Sequence, residues 1–183
     1  MKTDGRSVIC VATLLALGCA SCIGIDRREF PTDWPAVKNA TEGCPDLTGS
    51  YANADRGSPS VALASWILPK TTLPLEKVER VRISGPADGN VAIHLTDASN
   101  TDVATRELKQ GTDYRCVNGW LVLTLEGFLA PLPAVVHSAE ARLSRTVDGE
   151  LVVDNTETTT GVVIFVPGYA TKTRWHLYPL ASG

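Results

Sequence analysis

Arg80-Val81-Arg82-Ile83-Ser84, the connection Gly85 to Gly89, and Val91-Ala92-Ile93-His94-Leu95-Thr96 decide the fold. Val81 and Ile83 alternate with Arg80, Arg82 and Ser84, and Val91, Ile93 and Leu95 alternate with Ala92, His94 and Thr96. A period of two puts the apolar set on one side of an extended chain. Asp88-Gly89 sits in the connection, where positive φ is cheapest, so the two runs predict one β-hairpin.

The same period continues toward the C-terminus. Val103 to Gln110 forms a third run, and Tyr114 to Val117 and Trp120 to Leu125 flank Asn118-Gly119, the strongest two-residue hairpin signal in the chain. Pro131 and Pro133 interrupt the pattern, which resumes where Ala139, Ala141 and Leu143 alternate with Glu140, Arg142 and Ser144. Beyond the Asp148-Gly149 turn lie Leu151 to Val153, Gly161 to Val166 and Arg174 to Tyr178, giving about eight short strands from Val78 onward. Upstream, Ser60 opens Val61 to Leu68, read as one or two helical turns capped by Ser60 with Leu63, Trp66 and Ile67 on one side, the alternative being a strand stopped by Pro69. The fold class expected is mostly β: an antiparallel meander forming a small barrel or a sandwich, with one short N-terminal helix.

With 183 residues, 44% apolar, 20% charged and 6% aromatic, the chain has room for one domain. Its formal charge of −3 comes from scattered groups, without the basic patch a phosphate backbone needs, so nucleic acid is excluded as an expected partner. The start has a short charged region, Lys2 to Arg6, then an apolar run from Val8 to Leu17 of about ten residues, half of what a bilayer span needs. Leu15-Ala16-Leu17-Gly18-Cys19 resembles the lipobox of bacterial lipoproteins, although Ala16 stands where leucine is commonest. The resemblance implies a signal peptide over 1–18, lipidation at Cys19, and a membrane partner reached through that anchor. Neither Ala20, at the second mature position, where aspartate is associated with inner-membrane retention, nor Ser21 after it is acidic, which implies the outer membrane, with the domain facing the periplasm. The competing readings are a secretory peptide cleaved near Ala20 and a buried N-terminal helix.

Residues 19–43 then read as an acylated N-terminus and flexible tether, rich in charge, proline and asparagine, with Phe30 and Trp34 as isolated aromatics; extended, about 20 such residues reach roughly 70 Å. The globular domain is placed at 44–183. Of five cysteines, Cys10 leaves with the signal, Cys19 is acylated and Cys22 belongs to the tether, either free or paired with another chain. Cys44 and Cys116 remain as a disulfide candidate in an oxidising compartment, with two separated buried thiols as the alternative.

The opening Cys44-Pro45-Asp46-Leu47-Thr48-Gly49-Ser50-Tyr51-Ala52-Asn53, with Tyr114, Cys116 and Gly119 later, resembles a group of uncharacterised small bacterial outer-membrane lipoproteins. The resemblance implies a surface-tethered domain and attaches no activity to any residue. Physically, Asp46 can accept backbone hydrogen bonds in a turn, Gly49 can visit positive φ, and Tyr51 can cover one end of a core.

No residue set identifies a reaction, so no catalytic, cofactor or metal residue is named. His94, His137 and His176 lack metal spacing, and His94 and His176 read as ordinary strand residues. Gly57-Ser58-Pro59-Ser60 reads as loop. Glu76 and Glu79 lie beside Lys77 and Arg80 as in a solvated segment. Asp97 to Asp102 lacks the glycine and terminal glutamate of a calcium loop. Trp120, Phe128, Phe165, Tyr169, Trp175 and Tyr178 either fill the core or line an apolar cavity. The function expected is a noncatalytic envelope lipoprotein binding an envelope protein. The alternatives are a lipocalin-like carrier of a small apolar ligand, a periplasmic immunity or inhibitor lipoprotein, and a hydrolase assembled only in three dimensions.

Overall fold

The computed structural model describes residues 23–38, 43–68, 75–130, 135–163 and 166–181. Ten strands form: β1 (Ile23–Arg27), β2 (Gly49–Ala52), β3 (Arg80–Ala87), β4 (Asn90–Thr96), β5 (Asp102–Lys109), β6 (Tyr114–Val117), β7 (Trp120–Ala130), β8 (Val135–Arg145), β9 (Leu151–Val163) and β10 (Val166–Tyr178). They make a six-stranded sheet ordered β1-β10-β9-β8-β7-β6 and a four-stranded sheet ordered β2-β3-β4-β5. Eight strands follow Val78, about the number the period predicts, and all neighbours pair antiparallel except β1, which runs parallel to β10. The two sheets are not closed into a barrel and stack as a sandwich.

Hairpin chemistry sets the registers. Asp88 and Gly89 (φ 52° and 77°) turn β3 into β4, and Asn118 and Gly119 (φ 50° and 77°) turn β6 into β7. Both are residue pairs for which positive φ is tolerable. The register then puts Val81, Ile83, Val91, Ile93 and Leu95 against Tyr114, Leu121, Leu123, Ala141, Leu143, Leu151 and Val153 in one core. Helix α1 is shorter than its sequence suggests, Ala64–Ile67, and starts from Leu63 without a side-chain cap instead of from Ser60. Leu63 and Ile67 are nevertheless buried in the core, with Trp66 packed against it.

Two features depart from the sequence reading. First, β9 and β10 are each 13 residues long and pair throughout, so Leu151 to Val153 and Gly161 to Val163 belong to one strand. The distal halves of β7 to β10 project past the four-stranded sheet as an arm. Second, residues 23–38 are not free tether. After β1, Trp175 donates from Nε1 to the Arg28 carbonyl (2.8 Å), and Phe30 stands edge-on to both Trp175 and Trp34 (5.2 and 5.9 Å between centroids). Farther on, Val37 bridges to Thr146. The segment thus crosses the outer face of the six-stranded sheet as a strap, from β10 to the end of β8. Val122, Val152 and Leu177 on that face are buried yet stand outside the inter-sheet core, so the strap builds a second, smaller apolar layer. The isolated aromatics of the supposed tether are its anchors.

Candidate functional site

The Cys-Pro-Asp-Leu-x-Gly-x-Tyr-x-Asn opening is the most elaborate polar arrangement in the chain, and each of its named contacts serves the fold. Cys44 is bonded to Cys116 at the start of the β6–β7 hairpin, with Cα atoms 5.0 Å apart and 72 residues of chain between them. Asp46 accepts from the Thr48 amide (2.9 Å), a bond that holds its carboxyl below the usual carboxylate range. Tyr51 is fully buried and donates its hydroxyl back to the Leu47 carbonyl (2.8 Å), the arrangement known as a tyrosine corner. Gly49 is there for clearance and not for positive φ: a Cβ at this position would stand 2.8 Å from the Tyr51 hydroxyl. Asn53 donates to the Val78 carbonyl (2.8 Å) and accepts from the Ala64 amide (2.9 Å), tying β2 to α1. Tyr114 and Gly119, from the later half of the motif, serve likewise. The Tyr114 hydroxyl donates to the Gly89 carbonyl (3.0 Å), and the Gly119 carbonyl accepts from Ser144 (3.2 Å).

A second cluster lies where α1 meets β10. Asp55, buried, accepts from the Leu177 amide (2.7 Å), and its other oxygen is 3.5 Å from His176 Nδ1. The Trp66 indole stacks obliquely on His176 (5.3 Å between centroids) and donates to the Tyr178 hydroxyl (2.8 Å). Burial raises the Tyr178 hydroxyl well above its ordinary range. An Asp–His pair is the beginning of a general base, but here Asp55 is already committed to a backbone amide and His176 is 9% exposed under an indole. The other histidines stand apart: His94 is 3.2 Å from Asp102 on the outer face of β4, and His137 is 2.9 Å from Thr159 on the arm. Asp97 accepts from the Ser99 hydroxyl and from the Ser99 and Thr101 amides, which lowers its pKa and makes it the organiser of its own loop. Among the described residues, no group of three or more His, Cys, Asp or Glu is placed to hold a metal ion.

The open surface lies on the arm. On its outer face a shallow depression is lined by Arg115, Thr124, Ser138, Glu140, Thr156 and Thr158, with Arg115 paired to Glu140 (2.6 Å). It adjoins an edge of β7 that no other described strand pairs with, because β6 pairs with β7 only as far as Leu123. On the opposite face, a second depression runs along β1 and β10 past Asp26, Glu157 and Lys172. Asp26 is held below its ordinary pKa by its hydrogen bond from Arg174 (2.5 Å). Neither depression enters the space between the sheets, where Tyr51, Leu63, Ile83, Ile93, Leu121 and Leu143 are packed.

Comparison with protein-family models, curated proteins and solved structures finds no match. Cys19, Cys22, Pro131, Pro133 and Phe165 lie outside the described residues. Of the aromatics grouped in the sequence, Tyr178 is core, Trp120 and Trp175 are half-buried on the outer face, and Tyr169 is exposed on the arm. Sequence reasoning missed the Arg142–Asp154 ion pair beneath Trp120, whose ring lies 5.3 Å from the guanidinium. Its one signal was an acid following three buried apolar residues, Leu151, Val152 and Val153, on β9.

Proposed function

We propose that the protein is a noncatalytic, lipid-anchored envelope protein whose β-sandwich presents the outer face of its arm to an envelope protein partner. The supporting observation is where the open surface lies. A carrier of an apolar ligand needs room between the sheets, and that space is filled by side chains, whereas a shallow depression lined by hydroxyls and an ion pair opens on the outer face of the arm. Hydroxyls from Thr124, Ser138, Thr156 and Thr158 around the Arg115–Glu140 pair offer hydrogen bonds to a polar partner, and the neighbouring edge of β7 can accept an added strand. A catalytic reading would use Asp55 and His176, but their hydrogen bonds and packing suit holding α1 against β10.

The test is photocrosslinking in cells that make the full chain. A photoreactive residue replacing Thr124 or Ser138 is expected to yield one discrete protein adduct, absent when Thr105 on β5 is replaced. Adducts that follow neighbour abundance, or that are equal at all three positions, would remove the partner-binding reading.

A further inference from the structure

We infer that the end of the arm docks on the lipid surface, so that the protein lies against its membrane instead of hanging from it. The inference rests on the lipid-anchor reading and adds an orientation to it. Three residues, Ala20 to Cys22, separate Cys19 from β1. At no more than about 3.6 Å per residue, Ile23 therefore lies within about 14 Å of an acylated Cys19. Because β1 runs parallel to β10 and Ile23 pairs with Tyr169, the chain enters the sheet at the far end of the arm, not beside the sandwich.

That end has the character a bilayer interface favours. Val136, Thr160, Tyr169 and Ile23 are register partners in one row across β8, β9, β10 and β1. Val136 is 49% exposed, Tyr169 41%, and Ile25, two residues along β1, 61%. Among the described residues, the other exposed large apolar ones, Val117, Val147 and Leu180, belong to the opposite end of the sheet. Charge follows the same division. The sequence has no Asp, Glu, Lys or Arg from Gly127 to Ala139, where His137 is the one basic side chain, or from Thr158 to Thr171. The next row, Glu157, Lys172 and Asp26 across β9, β10 and β1, is fully charged. From Lys172 to the start of β10 at Val166 is about 20 Å of strand at roughly 3.4 Å per residue, free of charge. An aromatic hydroxyl and exposed aliphatics beyond a charged border match the polarity gradient of a headgroup region. Since the acyl anchor already holds the arm at the bilayer, a contact too weak to bind vesicles alone is enough to set orientation. The net charge of −3 means that apolar contact, and not attraction to anionic lipid, carries it.

The test places a photoreactive residue singly at Ile25, Val136 or Tyr169, all exposed, with Glu107 on β5 as reference, in cells with phosphorus-labelled phospholipid. Phospholipid adducts at the three arm positions at least about fivefold above Glu107 are expected. A discrete adduct to a protein, or to a second copy of the chain, in place of lipid would assign the arm to that partner and overturn the docking. Labelled palmitate is followed in the same cells. If Cys19 carries palmitate and the arm positions give no phospholipid adduct, the docking alone fails. If palmitate is not incorporated, the anchor and the docking fail together.

Discussion

Tyr51 offers the sharpest test of the corner that closes the N-terminal end of the core. Its hydroxyl is buried and donates to the Leu47 carbonyl, and burial pushes its pKa up to about 12 from an ordinary value of 10. The nearby Arg145 opposes that rise and Asp46 adds to it, both less than desolvation. An acid whose folded pKa is raised favours the fold fully below its unfolded pKa and loses that contribution as pH climbs through the folded value, because the unfolded chain releases its proton first. Worked through linkage, the loss is about 1.4 kcal/mol at about pH 11 and about 2.3 kcal/mol at about pH 12. Tyr51→Phe removes both the titration and the hydrogen bond, leaving the Leu47 carbonyl without its partner, which costs about 1–3 kcal/mol near pH 8. Urea unfolding of both chains, disulfide intact, should therefore show a gap near pH 8 that narrows by about 1.4 kcal/mol by about pH 11. Tyr178, raised in the same direction, titrates in both chains and cancels. Stability curves that stay parallel between those limits would refute the buried-hydroxyl reasoning.

Gly49→Ala drives a Cβ to within 2.9 Å of the Tyr51 ring, which is buried on all sides and has nowhere to retreat. A loss of about 2 kcal/mol is expected in the denaturant midpoint. Gly57→Ala, whose nearest contact is 3.8 Å away, should stay within about 0.5 kcal/mol of the parent. Replacing Cys44 and Cys116 together by alanine should lower stability by about 2–4 kcal/mol, read by the same unfolding curves, and an unchanged midpoint would show that the cross-link constrains nothing. A chain beginning at Gly43 should be less stable than one beginning at Ile23 by about 2 kcal/mol or more, since it uncovers Val122, Val152 and Leu177. Equal melting of the two would mean that the strap covers nothing of consequence.

Much of the sandwich is legible from local pattern, because hairpins put sequence neighbours side by side and their turns demand Asn, Asp or Gly. Asn118-Gly119 and Asp88-Gly89 show their backbone angles in their letters. The middle of β9 hides itself. Asp154 and Asn155 are both buried, on opposite faces of the sheet, and the threonines beyond them lie on an arm with solvent on either side, so no alternation survives there. A run of β-branched threonines was the remaining signal for a continuous strand. The strap is illegible for another reason: Phe30 finds its partner in Trp175, far along the chain, and a period cannot report a contact of that range. Tyr51 and Asn53 are visible as a motif, but the letters do not show that the motif is spent on closing a corner.

The fastening of residues 23–38 changes what an acyl group at Cys19 can do. A free tether of about 20 residues lets a domain sample a shell tens of ångströms deep, and a partner there meets it in any orientation. With β1 paired to β10 and Arg28 bonded to Trp175, residues 23–28 cannot swing away without breaking contacts to the sheet. If Cys19 is acylated, the long axis of β10 would then be set relative to the bilayer, and the depression beside Arg115 and Glu140 would be carried at a nearly fixed height above it. A partner would have to be held at the same height. An embedded or lipid-anchored protein meets that requirement and a freely diffusing one gains nothing from it. Weakening the strap through Trp175→Ala should accordingly reduce crosslinking from Ser138 to the partner while leaving palmitate on Cys19 unchanged. A strap that served only to stabilise the fold would leave the adduct yield per folded molecule where it was.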